Sequence, residues 1–142
     1  MVDMEQAISK LLENFEALPS WEEKYAYIIE CGKSLKQLDI IHKTDANKVS
    51  GCVSQVWLIG MIDRQSGLIF FEADSDSYLV KGLIYIALQI YSGRTYETII
   101  AADTQQIFER LGLKAHLTPS RSNGFFAIAQ RIKAIATQLH AR

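Results

Sequence analysis

The chain has 142 residues, of which 49% are apolar and 22% are charged. These fractions are ordinary for a globular domain and exclude a collagen-like, low-complexity or disordered chain. Its 15 basic and 16 acidic side chains leave a net charge of −1, so the chain lacks the overall basic excess that marks most nucleic-acid-binding domains.

Two helices are predicted at the start of the chain. Apolar residues recur at helical spacing over residues 4–16, which predicts an amphipathic helix that ends before Pro19. Ser20, followed three residues later by a glutamate, is typical of a capping box and predicts a second helix over residues 21–35. The periodicity then fades over residues 36–50, which predicts a long polar surface loop.

A hairpin and a buried helix are predicted next. Residues 52–62 are rich in valine, isoleucine, tryptophan and leucine and predict a strand. Residues 63–67 predict a turn, and residues 68–72 predict the partner strand. The polar run 74–77 offers N-caps for a helix over residues 78–91, which is apolar nearly all round and is therefore predicted to be central.

The last third of the chain is predicted to be helical. Thr95 and Asp103 can cap two short helices, and Thr118 with Pro119 predicts the start of the last helix. Strands and helices are segregated along the chain rather than alternating. The predicted class is therefore α+β, with a small antiparallel sheet of two to three strands, helices packed on one side, and a single domain over residues 1–142.

Charge and targeting signals bear on where the protein acts. Residues 104–142 carry a net charge of +5, whereas residues 1–48 and 49–103 each carry −3. A basic end of this kind can steer a partner of opposite charge, or it can be a solvated helix face. We expect a cytoplasmic location with reduced thiols, because the start of the chain lacks a signal peptide and no apolar stretch reaches membrane-spanning length.

The most informative residue is Cys52, in the run NKVSGCVSQ at positions 47–55. It lies after a glycine where a polar loop enters a strand, whereas structural cysteines usually lie inside apolar elements. The histidines at 42, 116 and 140 form no recognisable catalytic dyad with it, and no Cys-x-x-Cys pair is present. A lone thiol can still attack the outer sulfur of a persulfide and carry that sulfur.

Other candidate residues have simpler interpretations. Cys31 follows two isoleucines on the second predicted helix, and we interpret it as a packed side chain. Asp76 is explained by a helix N-cap, and Trp21 and Trp57 are predicted to be core residues. Arg121 lies near the start of the last helix, where its charge opposes the helix dipole. It can pair with a partner carboxylate or form a salt bridge within the fold.

Four segments, taken in order, resemble a known family. They are SWEEKYAYIIE at 20–30, NKVSGCVSQVW at 47–57, DSDSYLVKGL at 74–83 and HLTPSRSNG at 116–124. Together they resemble the SufE-type sulfur-acceptor proteins of iron–sulfur cluster assembly, and the resemblance spans nearly the whole chain. Gly-Cys-x-Ser-Gln-Val-Trp and Thr-Pro-Ser-Arg-Ser are its most specific parts.

The resemblance implies a fold shared with the IscU-type scaffold proteins and a sulfur carrier that is not itself an enzyme. Members of the family bind a PLP-dependent cysteine desulfurase, accept its sulfane sulfur as a persulfide, and stimulate it by removing that product. They pass the sulfur to a cluster-assembly scaffold and need no cofactor, since PLP belongs to the desulfurase. By motif match the acceptor is Cys52, and Asp76 and Arg121 face the desulfurase.

Several alternatives stay open at the level of sequence. The shared motifs do not separate proteins that serve a SufS-type desulfurase from paralogues that serve a second, CsdA-type desulfurase, so the destination of the sulfur is open. A cluster scaffold, which needs several cysteine ligands, and a non-catalytic adaptor are alternatives of a different class. Homodimer formation and any redox role of Cys31 are also left open.

Overall fold

The computed structural model describes residues 2–142 and contains six α-helices and three strands in that range. Short 3₁₀ turns lie at Ile40–His42, Asp45–Asn47 and Leu113–Ala115. The helices and strands follow one another as α1 (Met4–Glu16), α2 (Trp21–Lys33), β1 (Val56–Ile62), β2 (Leu68–Ser75), α3 (Tyr78–Tyr91), β3 (Arg94–Thr95), α4 (Tyr96–Ala101), α5 (Thr104–Arg110) and α6 (Pro119–Ala141).

The strands form one antiparallel sheet in the order β1-β2-β3. Alternation along β1 and β2 gives the sheet one buried face, on which Leu58 pairs with Ala73. On the opposite face the paired Met61 and Phe70 remain 46% and 41% exposed. Gly60 lies on the buried face, and an added Cβ there would come within 2.6 Å of the Ile135 side chain of α6. The predicted α+β class, with an antiparallel sheet and helices on one side, is confirmed.

Helix α3 is the centre of the core, as its apolar composition predicts. Leu83, Ile86 and Ile90 are at most 1% exposed. Helix α2 crosses α3 at Gly82, where an added Cβ would lie 1.9 Å from the carbonyl oxygen of Ile28. Only a glycine permits this close approach of the two helix backbones.

The segment 36–50 differs from the predicted polar loop. Leu38 and Val49 are buried, and the segment carries the first two 3₁₀ turns. Its side chains and carbonyl groups are tied to the sheet and to α6 by contacts described below. The segment is therefore an ordered part of the fold, which polar composition alone does not reveal.

Three further expectations are corrected. The first strand begins at Val56 rather than at residue 52, and β2 continues to Ser75 rather than ending at 72, so the two strands pair along their whole length. Trp21 is 59% exposed and is not a core residue, because it lies on the solvent side of the first turn of α2. Trp57 is partly buried.

No helix within residues 2–142 is both long enough and apolar enough to cross a membrane.

Candidate functional site

Cys52 lies on a short loop, residues 50–55, that precedes β1. The loop is closed at its base where the Val49 N–H donates to the carbonyl of Val56 at 2.8 Å. Gly51 adopts a φ of +89°, a left-handed conformation that other residues rarely adopt. The glycine turns the backbone so that the next side chain, the Cys52 thiol, faces the protein rather than solvent.

The thiol faces a cleft of about 300 Å³ between the N-terminal parts of α3 and α6. Its Sγ lies 3.7 Å from the carbonyl oxygen of Gly124, to which it donates a weak hydrogen bond. The remaining lining is mostly apolar or hydroxyl-bearing: Val53, Ser54, Val80, Leu83, Thr118, Ser120, Arg121 and Ile128. Arg121 is the only charged residue among the residues that line the cleft.

Burial raises the pKa of the Cys52 thiol. Desolvation favours the neutral thiol over the thiolate, and the thiolate is the reactive form. The tucked side chain is therefore a poor nucleophile at neutral pH. Reactivity requires the loop to move or a partner to change the surroundings of the sulfur.

None of the three histidines lines the Cys52 cleft. His42 lies in the first 3₁₀ turn, and His140 stacks on Tyr96 with ring centroids 4.0 Å apart. His116 lies just before α6, and burial and the nearby Lys24 charge lower its pKa. Among the residues that line the cleft there is thus no histidine base beside the sulfur.

Asp76 holds the far end of the Cys52 loop. Its Oδ1 accepts a hydrogen bond from the backbone N–H of Gln55 at 3.1 Å. The predicted N-cap role is wrong, because Ser77 is the N-cap of α3 and its hydroxyl accepts from the Val80 N–H. Asp76 is exposed, so a docking partner can reach its carboxylate.

Arg121 lies at the rim of the cleft, in the first turn of α6. Its backbone N–H donates to the Thr118 hydroxyl, which is the N-cap. Its side chain is exposed and makes no hydrogen bond or ion pair with any residue of the described range 2–142. An internal salt bridge therefore does not account for this cation. A charge that opposes the helix dipole is left available to a partner.

Cys31 is a buried side chain of α2, 5% exposed, and the packing interpretation is confirmed. Burial raises the pKa of its thiol. It does not line the Cys52 cleft, and both cysteines are free thiols.

Over residues 2–142, no group of three or more histidine, cysteine, aspartate or glutamate side chains is arranged to hold a metal ion.

A buried carboxylate next to the site was missed at the level of sequence. Asp74, 2% exposed, lies 3.2 Å from the ammonium group of Lys43 and 3.7 Å from that of Lys81. It also accepts from the backbone N–H groups of Ser75 and Leu38. Burial alone raises the pKa of Asp74, but the hydrogen bonds from Ser75 and Leu38 and the Lys43 ammonium outweigh it and leave the pKa below its ordinary value.

The Asp74 cluster fastens residues 38–43 to the junction of β2 and α3. The Lys43 ammonium also lies 5.4 Å from the centre of the Trp57 ring, an arrangement typical of a cation–π contact. In the sequence, Asp74 is only one member of the polar run 74–77, which predicts a helix cap. Its lysine partners are separated from it along the chain and follow no local rule.

Comparisons with known proteins identify the family of the chain. The family model described as "SufE: Fe-S metabolism associated domain" matches residues 9–136. An uncharacterized SufE-like protein of Rhizobium meliloti (strain 1021) is 39% identical over 132 residues, which cover 92% of this chain and 94% of the relative. A second, from Rhizobium etli, is 40% identical over 129 residues, covering 89% of this chain and 87% of the relative.

A solved structure has the same fold. The solution structure of a hypothetical protein from Thermus thermophilus matches with a TM-score of 0.79, and the match covers 100% of both chains. The two sequences are 17% identical, so this likeness concerns the fold alone.

Proposed function

Because the chain belongs to the SufE family of Fe–S metabolism, we propose that its residues form one sulfur-acceptor domain that takes persulfide sulfur from a cysteine desulfurase onto Cys52. The observation that carries this proposal is the position of Cys52 on a loop, its half-buried thiol facing a cleft without a histidine base. A thiol at such a site is shielded while the protein is free and becomes reactive when a partner protein binds.

The transfer is a thiol–disulfide-type displacement. The Cys52 sulfur, after losing its proton, attacks the outer sulfur of a persulfide on the desulfurase cysteine. A new S–S bond forms at Cys52, the S–S bond on the desulfurase breaks, and the desulfurase cysteine leaves as a thiolate. The sulfane sulfur only changes its carrier, so no external oxidant or reductant is needed.

The cleft supports the storage step. A persulfide that remains exposed is attacked by other thiols, which release the outer sulfur. The apolar side chains of Val80, Leu83 and Ile128 line the cleft that the thiol faces, and they restrict the approach of such thiols. Stimulation of the desulfurase follows in the proposal, since removing its persulfide frees it for the next turnover. The sulfur then passes to a cluster-assembly scaffold.

The rim of the cleft supports desulfurase docking. Arg121 is exposed without an ionic partner among the described residues, and Val53, next to Cys52, is 89% exposed. Asp76 is exposed on the other side of the loop. We assign these residues to contact with the desulfurase, whether it is of the SufS or the CsdA type. The chemistry needs reduced thiols, so the proposal places the protein in the cytoplasm, without a cofactor of its own.

The test is mass spectrometry of the chain after incubation with desulfurase, PLP and cysteine. The proposal expects an added mass of one sulfur atom on Cys52, absent in Cys52→Ser and retained in Cys31→Ala. Serine cannot replace the thiol because its hydroxyl is far too weakly acidic. An iron chromophore on the chain would support a scaffold instead. Desulfurase binding without any adduct would support an adaptor, and either result refutes the carrier function.

A further inference from the structure

The segment before Cys52 lies along α6 in the opposite direction. Cys52 faces Gly124, and an added Cβ on Gly51 would lie 3.3 Å from the Cβ of Ala127. Earlier in this segment, the backbone carbonyls of Ala46 and Lys48 accept hydrogen bonds from the side chain of Arg131, near the middle of α6. The chain therefore follows α6 from its middle towards its N-terminus and reaches the cleft at Cys52.

The contact at the start of this path is polar. The Arg131 guanidinium donates from one nitrogen to the Ala46 carbonyl at 2.8 Å and from the other to the Lys48 carbonyl at 3.1 Å. Arg131 lies seven residues after Gly124, about two helical turns or 10 Å further along the same face of α6. One face of α6 thus carries the Gly124 carbonyl, which accepts the hydrogen bond of the thiol. The same face binds residues 46–48, which precede the Cys52 loop.

We propose that Arg131 is a positioning residue that keeps Cys52 tucked in its cleft. A charged donor makes stronger hydrogen bonds than a neutral one, and the planar guanidinium spans two carbonyls at once. The loop is also tied to β1 by the Val49–Val56 backbone hydrogen bond and the Lys48–Trp57 bridge, and its far end is held by the Gln55–Asp76 hydrogen bond. These ties close the loop onto β1 and the start of α3 but do not fasten it to α6.

Loss of Arg131 releases residues 46–48 from α6 and lets the Cys52 loop leave the helix more often. The thiol then spends more time in water, where its pKa lies closer to the ordinary cysteine value. For a carrier that works as in the proposed function, on which this consequence rests, the same change exposes a stored persulfide to small thiols. Arg131 therefore governs how well the sulfur is shielded between partners.

The test measures alkylation of Cys52 by iodoacetamide as a function of pH, in a Cys31→Ala background so that a single thiol is present. Arg131→Ala is expected to raise the rate at pH 7 by about threefold to tenfold, because a thiol that is more often in water has a lower pKa and a larger thiolate fraction. Arg131→Lys, which reaches one carbonyl and not both, is expected to give a smaller increase. It serves as the deciding variant if the alanine variant does not fold.

Lys133→Ala is the matched control. The Lys133 ammonium is another α6 cation that donates to a backbone carbonyl, that of Ala102, away from the Cys52 cleft. Its loss is expected to lower the melting temperature without changing the pH profile of Cys52. An unchanged profile in the Arg131 variants, or an equal change in the Lys133 variant, refutes the positioning role. The assay contains no desulfurase, so its outcome is independent of whether Cys52 accepts sulfur.

Discussion

The buried Asp74 carboxylate provides the sharpest test of how the site is held in place. Replacing Asp74 by asparagine keeps the side-chain shape and an acceptor for the Ser75 N–H, but it removes both lysine ion pairs. At 3.2 and 3.7 Å, each pair represents roughly 5 kcal/mol of gross Coulomb attraction at an effective dielectric constant of about 20. Desolvation of the buried carboxylate offsets much of this attraction.

The net effect on stability is smaller than the gross attraction. The lysine side chains are 25% and 27% exposed, so in the Asp74→Asn variant both ammonium groups can turn towards water. We therefore expect a loss of about 2–3 kcal/mol in the free energy of unfolding, at or just below the lower limit of the roughly 3–5 kcal/mol that breaking a fully buried pair costs. For a chain of this length the loss corresponds to a fall of roughly 6–10 °C in melting temperature.

The pH dependence gives the reasoning a second check. The pKa of Asp74 is below its ordinary value in the folded protein. Its stabilisation is thus fully present above the ordinary carboxyl pKa and is lost as the pH falls through the folded pKa. Urea unfolding at several pH values should show the difference between parent and Asp74→Asn shrinking below about pH 4.

An exposed ion pair supplies the control for this experiment. Glu5 and Arg110 form a bidentate pair with distances of 2.6 and 3.0 Å on the surface. Glu5→Gln is expected to change stability little, because solvent screens exposed pairs. Equal stability of Asp74→Asn and the parent at pH 7, or a difference that persists at low pH, would show that the buried cluster does not fasten the segment as argued.

Three further outcomes are expected. Cys31→Ala should lower the free energy of unfolding by about 1 kcal/mol and leave sulfur transfer to Cys52 unchanged. A transfer defect as severe as that of Cys52→Ser would indicate that the sulfur passes through Cys31. Gly82→Ala should lower the free energy of unfolding, measured in urea, by at least about 3 kcal/mol, because the added Cβ overlaps the Ile28 carbonyl. A variant as stable as the parent would refute that packing. Arg121→Ala should weaken desulfurase binding and flatten its salt dependence in titrations. Unchanged affinity with a lower melting temperature would assign Arg121 to the fold.

The parts of the fold that sequence predicted well are those set by neighbouring residues. Helix α1 begins and ends where the apolar period does, and the Thr118 cap with Pro119 marks the start of α6. These signals depend on groups within a few residues of each other, so they can be identified without knowing the tertiary structure. The central position of α3 follows in the same way, because a helix that is apolar all round must be buried.

The errors in the segment before β1 share one cause, which is a partner far away in the chain. The run after Cys52 has strand-forming residues, but the Gln55 N–H bonds to Asp76 rather than to a neighbouring strand. Residues 36–50 are polar, yet Asp74 and Arg131 tie them to the sheet and to α6. Since no local pattern encodes these contacts, the sequence singled out Cys52 as a candidate but did not predict the contacts that hold its loop.

Under the proposed function, the arrangement around Cys52 separates storage of the sulfur from its transfer. Burial makes the thiol weakly acidic and hard to reach, which protects a bound sulfur but also prevents its capture. Both functions can coexist only if the protein changes state when the partner arrives. Asp76, which holds the loop through the Gln55 N–H, is exposed and therefore accessible to a docking surface. A partner that competes for this carboxylate releases one end of the loop, while Arg131 retains the other end against α6.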